Sequence, residues 1–526
     1  NREFYFPRNS SDEFEKMVLP WVLVTLLAVV VTLAGMFIDY GVVATTYTVY
    51  GISQTLILDE FRNGQIPINY VIAAFIAFAL SCAFFALLAG MLVVYVSPLA
   101  EGSGIPDTKS YLNGVHLKGL FSVPTAIAKA VGCCFSIGSG LIAGREGPII
   151  HIGAILGSAI SQGSSHTFQF RLPSAIVKHF RSAEWKRDFA VMGSACGVAT
   201  AFIAPMGGVL FAIEEGATVW RQQLTFLTLY GACFTAFLTS IIRGYINEPS
   251  ESPIIPGTLF GSYRDEAPHV IFRLHDFPFC LLTAVTGGLV GAAFSTCQFY
   301  LGDFRRKYVR IQKWRTLLEV VVISVAISTF RFWVPYGAGK CIDDHNLHAT
   351  QGDKNEFVNT PNSLPFNCED HKTNDLGILF WAPVEHMVKY LLHDREDEID
   401  SLHLFYAFCF YFIFMTLVYG MAVPSGLFIP SFVVGGCYGR LIGKIAAAAT
   451  GNRNLISSYA FLGCASCLGG MTRVSISVAL IALESTQDFT LSLYVYMVVI
   501  VAKNIADSFN IGIYDLSIAK KDIPFL

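Results

Sequence analysis

Charge is what this sequence has least of. Only 14% of its 526 residues are Asp, Glu, Lys or Arg, against about 25% in an ordinary soluble domain. The formal net charge is −3 at pH 7, so there is no basic field to gather nucleic acid. No signal peptide with a cleavage site opens the chain. It begins at Asn1 rather than Met, and we expect a portion of something longer. The 13 cysteines are scattered, mostly within apolar runs, and no Cys/His cluster has zinc-ligand spacing. They read as small buried hydrophobes. Cys341 and Cys368 differ because both lie in a polar loop; a disulfide between them is left open, conditional on an oxidising lumen. The six histidines of segment 345–403 lack the HExxH spacing of a metallohydrolase. They read as a solvated loop, and neither an enzyme nor a cofactor is expected.

What is present is apolar. Hydrophobic residues make up 53% of the chain and the mean hydropathy is +0.53. This predicts an all-α polytopic membrane protein. Residues 18–37, 63–100, 277–302 and 404–439 carry no charge, and about 20 apolar residues make one crossing. Two of these windows are too long for one straight helix, and MAVPSGLFIP interrupts the last. Shorter glycine-rich pieces lie at 149–160, 189–205 and 455–472. Such broken helices survive at membrane depth only where protein or a wet cavity surrounds the break.

Loop charge sets the orientation. Residues 162–186 carry Arg171, Lys178, Arg181 and Lys186, and residues 303–315 carry six basic residues. Residues 336–403 carry five Lys/Arg against thirteen Asp/Glu. The positive-inside rule assigns the first two to the cytosol and the third to the outside or a lumen. The sequon at Asn9 falls before the first span, on the cytosolic side, and reads as chance.

The chain also repeats itself. GREGPIIHIGAILGSAI (144–160) aligns without a gap to GLFIPSFVVGGCYGRLI (426–442), matching Gly144, Pro148, Gly153, Gly157 and Ile160 to Gly426, Pro430, Gly435, Gly439 and Ile442. GSACGVATAFIAPMGGVLFAIE (193–214) aligns likewise to GCASCLGGMTRVSISVALIALE (463–484), with Glu214 over Glu484. Duplicated halves are a transporter signature, with the site where their broken helices meet. We expect a cytosolic segment at 1–16, a first repeat over 17–275 and a second over 276–526, the latter containing the acidic luminal loop 336–403.

Three motifs, GSGIPD (102–107), GREGP (144–148) and GLFIP (426–430), place Gly and Pro where a helix would start. Proline suits a first helical turn, and glycine lets backbone approach a ligand. A helix start presents unpaired N–H groups and the positive end of the dipole. Several converging starts make an anion site without requiring a lysine. A fourth stretch, GIYDLS, brings Tyr514 after the last apolar run.

In this order and combination the motifs resemble the signature regions of the CLC family of chloride channels and chloride/proton exchangers, over nearly the whole chain. EWKRDF and GGVLFAIEEGATVW resemble its late-endosomal and lysosomal branch. The resemblance implies two inverted halves of tilted, broken helices, a homodimer with one pathway per subunit, and an acidic-organelle membrane, with the plasma membrane as an alternative. It implies that Glu146 is the gate and a proton carrier and that Glu215 passes protons from the cytosol. It further implies that the Ser103 and Tyr514 hydroxyls and the backbone N–H groups of Arg145, Gly147, Leu427 and Phe428 hold chloride. Serine at 103, where nitrate-preferring members have proline, points to chloride. Glu214, matched by Glu484, reads as structural, as does the Arg145 side chain. Asp107 stands where the family often has glutamate. Relatives usually continue into cytosolic nucleotide-binding modules, so nucleotide control is not readable here, and nor is an accessory subunit. The function expected is chloride/proton antiport, with a passive chloride channel as the alternative.

Overall fold

A computed structural model describes residues 10–61, 68–115, 117, 119–165, 170–171, 178–216, 220–247, 272–343, 368, 372–393, 399–452 and 455–521. The sequon's Asn9 and most of the polar loop, with His345, His348 and His371, lie outside them.

The described chain is helical, with two short hairpins. The first half runs α1 (Ser10–Phe61), α2 (Ile68–Met91), α3 (Ile105–Leu112), α4 (Val123–Gly138), α5 (Glu146–Gln162), α6 (Ala183–Phe202), α7 (Pro205–Phe211) and α8 (Gln222–Asn247). The second runs α9 (Phe277–Phe304), α10 (Lys313–Ala338), α11 (Asp375–Trp381), α12 (Val384–His393), α13 (Ser401–Val418), α14 (Phe428–Thr450), α15 (Ile456–Thr472), α16 (Ile476–Thr486), α17 (Ser492–Asp507) and α18 (Ile513–Lys520). Among the described residues, seven helices are long and apolar enough to cross a membrane. Two of them, Gln222–Tyr245 and Lys313–Ala338, are not among the four charge-free windows read from the sequence. The window at 404–439 does break, into α13 and α14.

Several starts carry the expected chemistry: proline occupies the first turn of α3, α4, α7 and α9. In the luminally assigned hairpin, strands Cys341–Asp343 and Lys372–Asn374 pair antiparallel. Beside it the Cys341–Cys368 disulfide is closed, with Cα atoms 5.6 Å apart. His403, in the first turn of α13, lies with Nδ1 2.5 Å from Asp375 Oδ2. The chain's one CxxC, Cys464 to Cys467, is buried within α15, and Cys464 Sγ donates to the Phe432 carbonyl at 3.0 Å. No group of metal-ligating side chains occurs among the described residues.

The repeat read from the sequence recurs as packing. A Cβ on Gly153 would strike the Gly193 carbonyl, and one on Gly193 the Gly153 carbonyl. The aligned Gly435 and Gly463 face each other in the same way. Gly157 abuts the Phe189 carbonyl, and its counterpart Gly439 abuts that of Tyr459. Small residues let the α5–α6 and α14–α15 backbones touch, which is how helices associate where lipid supplies no hydrophobic drive. Both α6 and α15 end on a non-glycine residue in the left-handed region, Ile203 at φ 54° and Arg473 at φ 65°, again at matched positions.

The aligned glutamates exchange caps between the halves. Glu214 accepts from Ser475 N (2.7 Å) and Ser477 N (3.0 Å) at the start of α16. Glu484 accepts from Met206 N (3.2 Å) and Gly207 N (2.7 Å) at the start of α7. Each carboxylate satisfies orphan donors of the other half's helix, which is the structural role expected of Glu214.

Candidate functional site

The breaks in α5 and α14 meet at one point. Gly144 N donates to the Gly426 carbonyl at 2.9 Å, and Gly426 N to the Gly144 carbonyl at 2.7 Å. Two matched residues exchanging both bonds is what a two-fold relation between the halves produces. This staple aims the starts of α5 and α14 at common ground. The start of α3 joins them, because a Cβ on Gly147 would lie 2.6 Å from Ser103 Cβ and 3.5 Å from Gly426 Cα. Three helix N-termini therefore converge, each with first-turn N–H groups that have no carbonyl four residues back.

Several of the residues singled out in the sequence lie near this point. Glu146 opens α5 and is fully buried, with its carboxylate folded back over Gly144. Arg145 Nη1 lies 3.0 Å from Asp39, which Arg243 approaches from the other side at 2.6 Å. The arginine thus anchors the helix start to α1 and α8. Leu427 caps α14 and Phe428 begins it, both buried. Ser103 Oγ accepts from Ile105 N at 3.3 Å, which leaves the hydroxyl hydrogen to donate. Tyr514, in the first turn of α18, is 1% exposed, and its hydroxyl has no hydrogen-bond partner among the described residues. Glu146, Glu215 and Tyr419 are all near enough to act electrostatically on that hydroxyl.

Two ion pairs hold Tyr514 in place. Lys521, at the end of α18, binds both oxygens of Asp107 at 2.7 and 2.8 Å. Lys109 of α3 reaches Asp515 at 2.8 Å and also Glu215 at 3.0 Å. Glu215 is therefore no freely solvated carboxylate; its side chain is 10% exposed. It lines a cavity of 570 Å³ together with Asp515, Arg473, Lys503 and Asn510.

Sequence reasoning missed four further residues. Lys129 of α4 is fully buried, with Nζ 2.9 Å from His151 Nδ1, and both pack against Gly104 at the head of α3. A basic side chain thus stands beside the helix starts, where the sequence reading required no lysine. Tyr419, with its hydroxyl in reach of Ser103 and Ser517, and Ser425, whose buried hydroxyl has no partner, adjoin the GLFIP break. No local spacing marks any of them.

A family model described as voltage gated chloride channel matches residues 85–507. The chain belongs to this CLC family. Membership places it among ion-transport proteins and not among enzymes. It is 31% identical over 96% of its length to a Bos taurus protein named H(+)/Cl(-) exchange transporter 7, covering 60% of that protein. It is 30% identical over 99% of its length to the Arabidopsis thaliana chloride channel protein CLC-a, covering 65%. The chain thus spans about three-fifths of the length of the curated relatives it matches. A crystal structure of a eukaryotic CLC transporter superposes with a TM-score of 0.69 at 22% identity, over 97% of this chain and 75% of that one. A slow cyanobacterial Cl-/H+ antiporter gives 0.70 at 18%, over 96% and 98%. At these identities the likeness establishes the fold: a multi-pass CLC-type helical membrane protein.

Proposed function

We propose that this CLC chain is a secondary active antiporter that exchanges chloride for protons. The observation that carries the reading is the convergence of three helix starts on a buried carboxylate, Glu146, with a buried donor, the Tyr514 hydroxyl, left without a partner. An unsatisfied buried hydroxyl is costly. A chloride held between it, Ser103 and the amides of Arg145, Gly147, Leu427 and Phe428 satisfies it. Ionised, the Glu146 carboxylate competes for the same amides; protonated, it loses that attraction and yields to the anion. Glu215, against the cavity and held by Lys109, loads protons from the cytosolic side. The CLC relative named an H(+)/Cl(-) exchange transporter supports this choice over a passive channel, although other relatives are named channels.

In proteoliposomes an imposed chloride gradient should drive protons uphill. Glu215→Ala should stop the protons and spare chloride flux. Chloride flux with no proton movement in the unaltered protein would establish the channel reading instead. Tyr514→Phe removes one hydrogen bond to a charged ligand and should weaken chloride binding about 10-fold, read by calorimetric titration; unchanged affinity removes Tyr514 from the site.

Two further proposals rest on this reading. The chain acts as a homodimer, joined through the face bearing α7 and α16. There Met206 and Ile476 are exposed beside the half-buried Glu214 and Glu484, and a second copy would keep lipid from those carboxylates. A monomer mass by light scattering in mild detergent would refute this. The membrane we propose is that of late endosomes, lysosomes or another acidic organelle, which a fluorescent fusion imaged beside an acidotropic dye would test.

A further inference from the structure

We propose that Arg331 holds a small monovalent anion at a second site, separate from the point where the helix starts converge. Arg331 lies in α10, toward the end that the charge bias assigns to the lumen, and is 1% exposed. An arginine side chain stays charged at any physiological pH. Its Nη1 donates to the Tyr50 hydroxyl at 2.6 Å and rests against Gly140, just past the end of α4. Its Nε and Nη2 have no hydrogen-bond partner within 3.5 Å among the described residues, and the Tyr411 hydroxyl is the nearby group that interacts with the guanidinium. Those two N–H groups share one edge of the planar guanidinium, the fork that takes two-point contact with an anion.

The surroundings supply no counter-charge. Tyr50 comes from α1, Phe78 and Cys82 from α2, Trp381 from α11 and Tyr411 from α13, and all are neutral. Among the described residues no carboxylate pairs with Arg331. Contrast three other buried arginines: Arg145 has Asp39, Arg305 has Glu319 at 2.6 Å, and Arg473 has Asp507 at 3.0 Å. A guanidinium left unneutralised at membrane depth is among the costliest groups a protein can bury. A single positive charge is balanced by a single negative one. Tyr411 donates its own proton to the Leu379 carbonyl at 2.9 Å, so it offers no hydrogen to a ligand and the fork itself makes the contact. A halide or an ion of similar size fits this chemistry; a di-anion would invert the charge rather than cancel it. The site meets the central one only through the chain: Gly140 lies four residues before Gly144, the staple that sets the start of α5.

Anomalous diffraction from the unaltered protein crystallised in sodium bromide tests this directly. A bromide peak on the Nε–Nη2 edge of Arg331 is the expected result. A peak confined to the Ser103–Tyr514 region, or a water-like feature without anomalous signal at Arg331, overturns the proposal. Because the two regions are read separately in one map, failure here leaves the transport reading standing, and the converse. Thermal unfolding gives a second measure. Arg331→Met should be at least as stable as the unaltered protein in gluconate and should lose part of the stabilisation that bromide brings. An unchanged bromide response in Arg331→Met would also overturn the site. If that variant does not fold, the diffraction experiment decides.

Discussion

Replacing Glu146 by alanine should leave an anion pathway that no longer moves protons. The carboxylate is fully buried at the first residue of α5, where helix-end N–H groups favour negative charge and burial opposes it. That opposition is what lets one group take and release a proton in each cycle. Alanine removes the proton carrier and the competitor for the amides in a single step. In vesicles with an outward chloride gradient, proton uptake should fall to the leak of protein-free vesicles, while chloride flux persists. Glu146→Gln, which keeps the shape but cannot ionise, should be equally uncoupled. Its chloride flux should be the slower of the two, because the amide side chain still occupies the path. Proton pumping that survives in either variant would end the role assigned to this residue.

The parts of this architecture that were legible in the sequence are those where backbone geometry dictates residue type. A helix that starts inside the membrane with its amides bare needs Gly and Pro at fixed positions. GREGP and GLFIP therefore advertise both the breaks and, by aligning, the relation between the halves. The Gly144–Gly426 staple joins the first residues of that alignment. Glu146 stood out because a carboxylate in apolar sequence needs a reason. Glu215 had no such signal and entered by resemblance; the structure adds its partner Lys109, about a hundred residues away in sequence. Lys521 on Asp107 and His151 beside Lys129 are long-range pairings of the same kind. Their residue types are those of any solvated face or core position, so only the fold brings them together. The span at Gln222–Tyr245 escaped because its glutamines and threonines dilute the hydropathy and Arg243 stands near its end. Ile203 and Arg473 are the reverse case. They take left-handed backbone that glycine would have announced, so nothing in their identity betrays the turn.

A methyl group at Gly153 should be among the most damaging small changes in the molecule. An alanine Cβ there would sit inside the 3.0 Å that real Cβ atoms do not cross, and the atom it meets is a backbone carbonyl, that of Gly193. A flexible side chain could step aside; a helix backbone cannot. To admit the methyl group, α5 and α6 must part along their whole contact, which opens gaps elsewhere in a tightly packed interface. Overpacking of this kind costs about 3 kcal/mol or more. The intrinsic preference of a helix for alanine over glycine returns only about 1 kcal/mol. Gly51 and Gly337 are built-in controls. Both lie in helices, and a Cβ on either meets nothing within 4 Å, so Gly51→Ala and Gly337→Ala should be neutral or mildly stabilising. Gly435→Ala should behave like Gly153→Ala, because its Cβ would meet the Gly463 carbonyl in the matched interface of the other half. The check is thermal unfolding in detergent by size-exclusion fluorescence. The Gly153 and Gly435 variants should unfold well below the unaltered protein or fail to accumulate, and the two controls should not. If Gly153→Ala proved as stable as Gly51→Ala, the α5–α6 contact would not be the close backbone packing that aims Glu146 at the anion site. The aligned glycines of the two halves would then have lost their physical meaning as well.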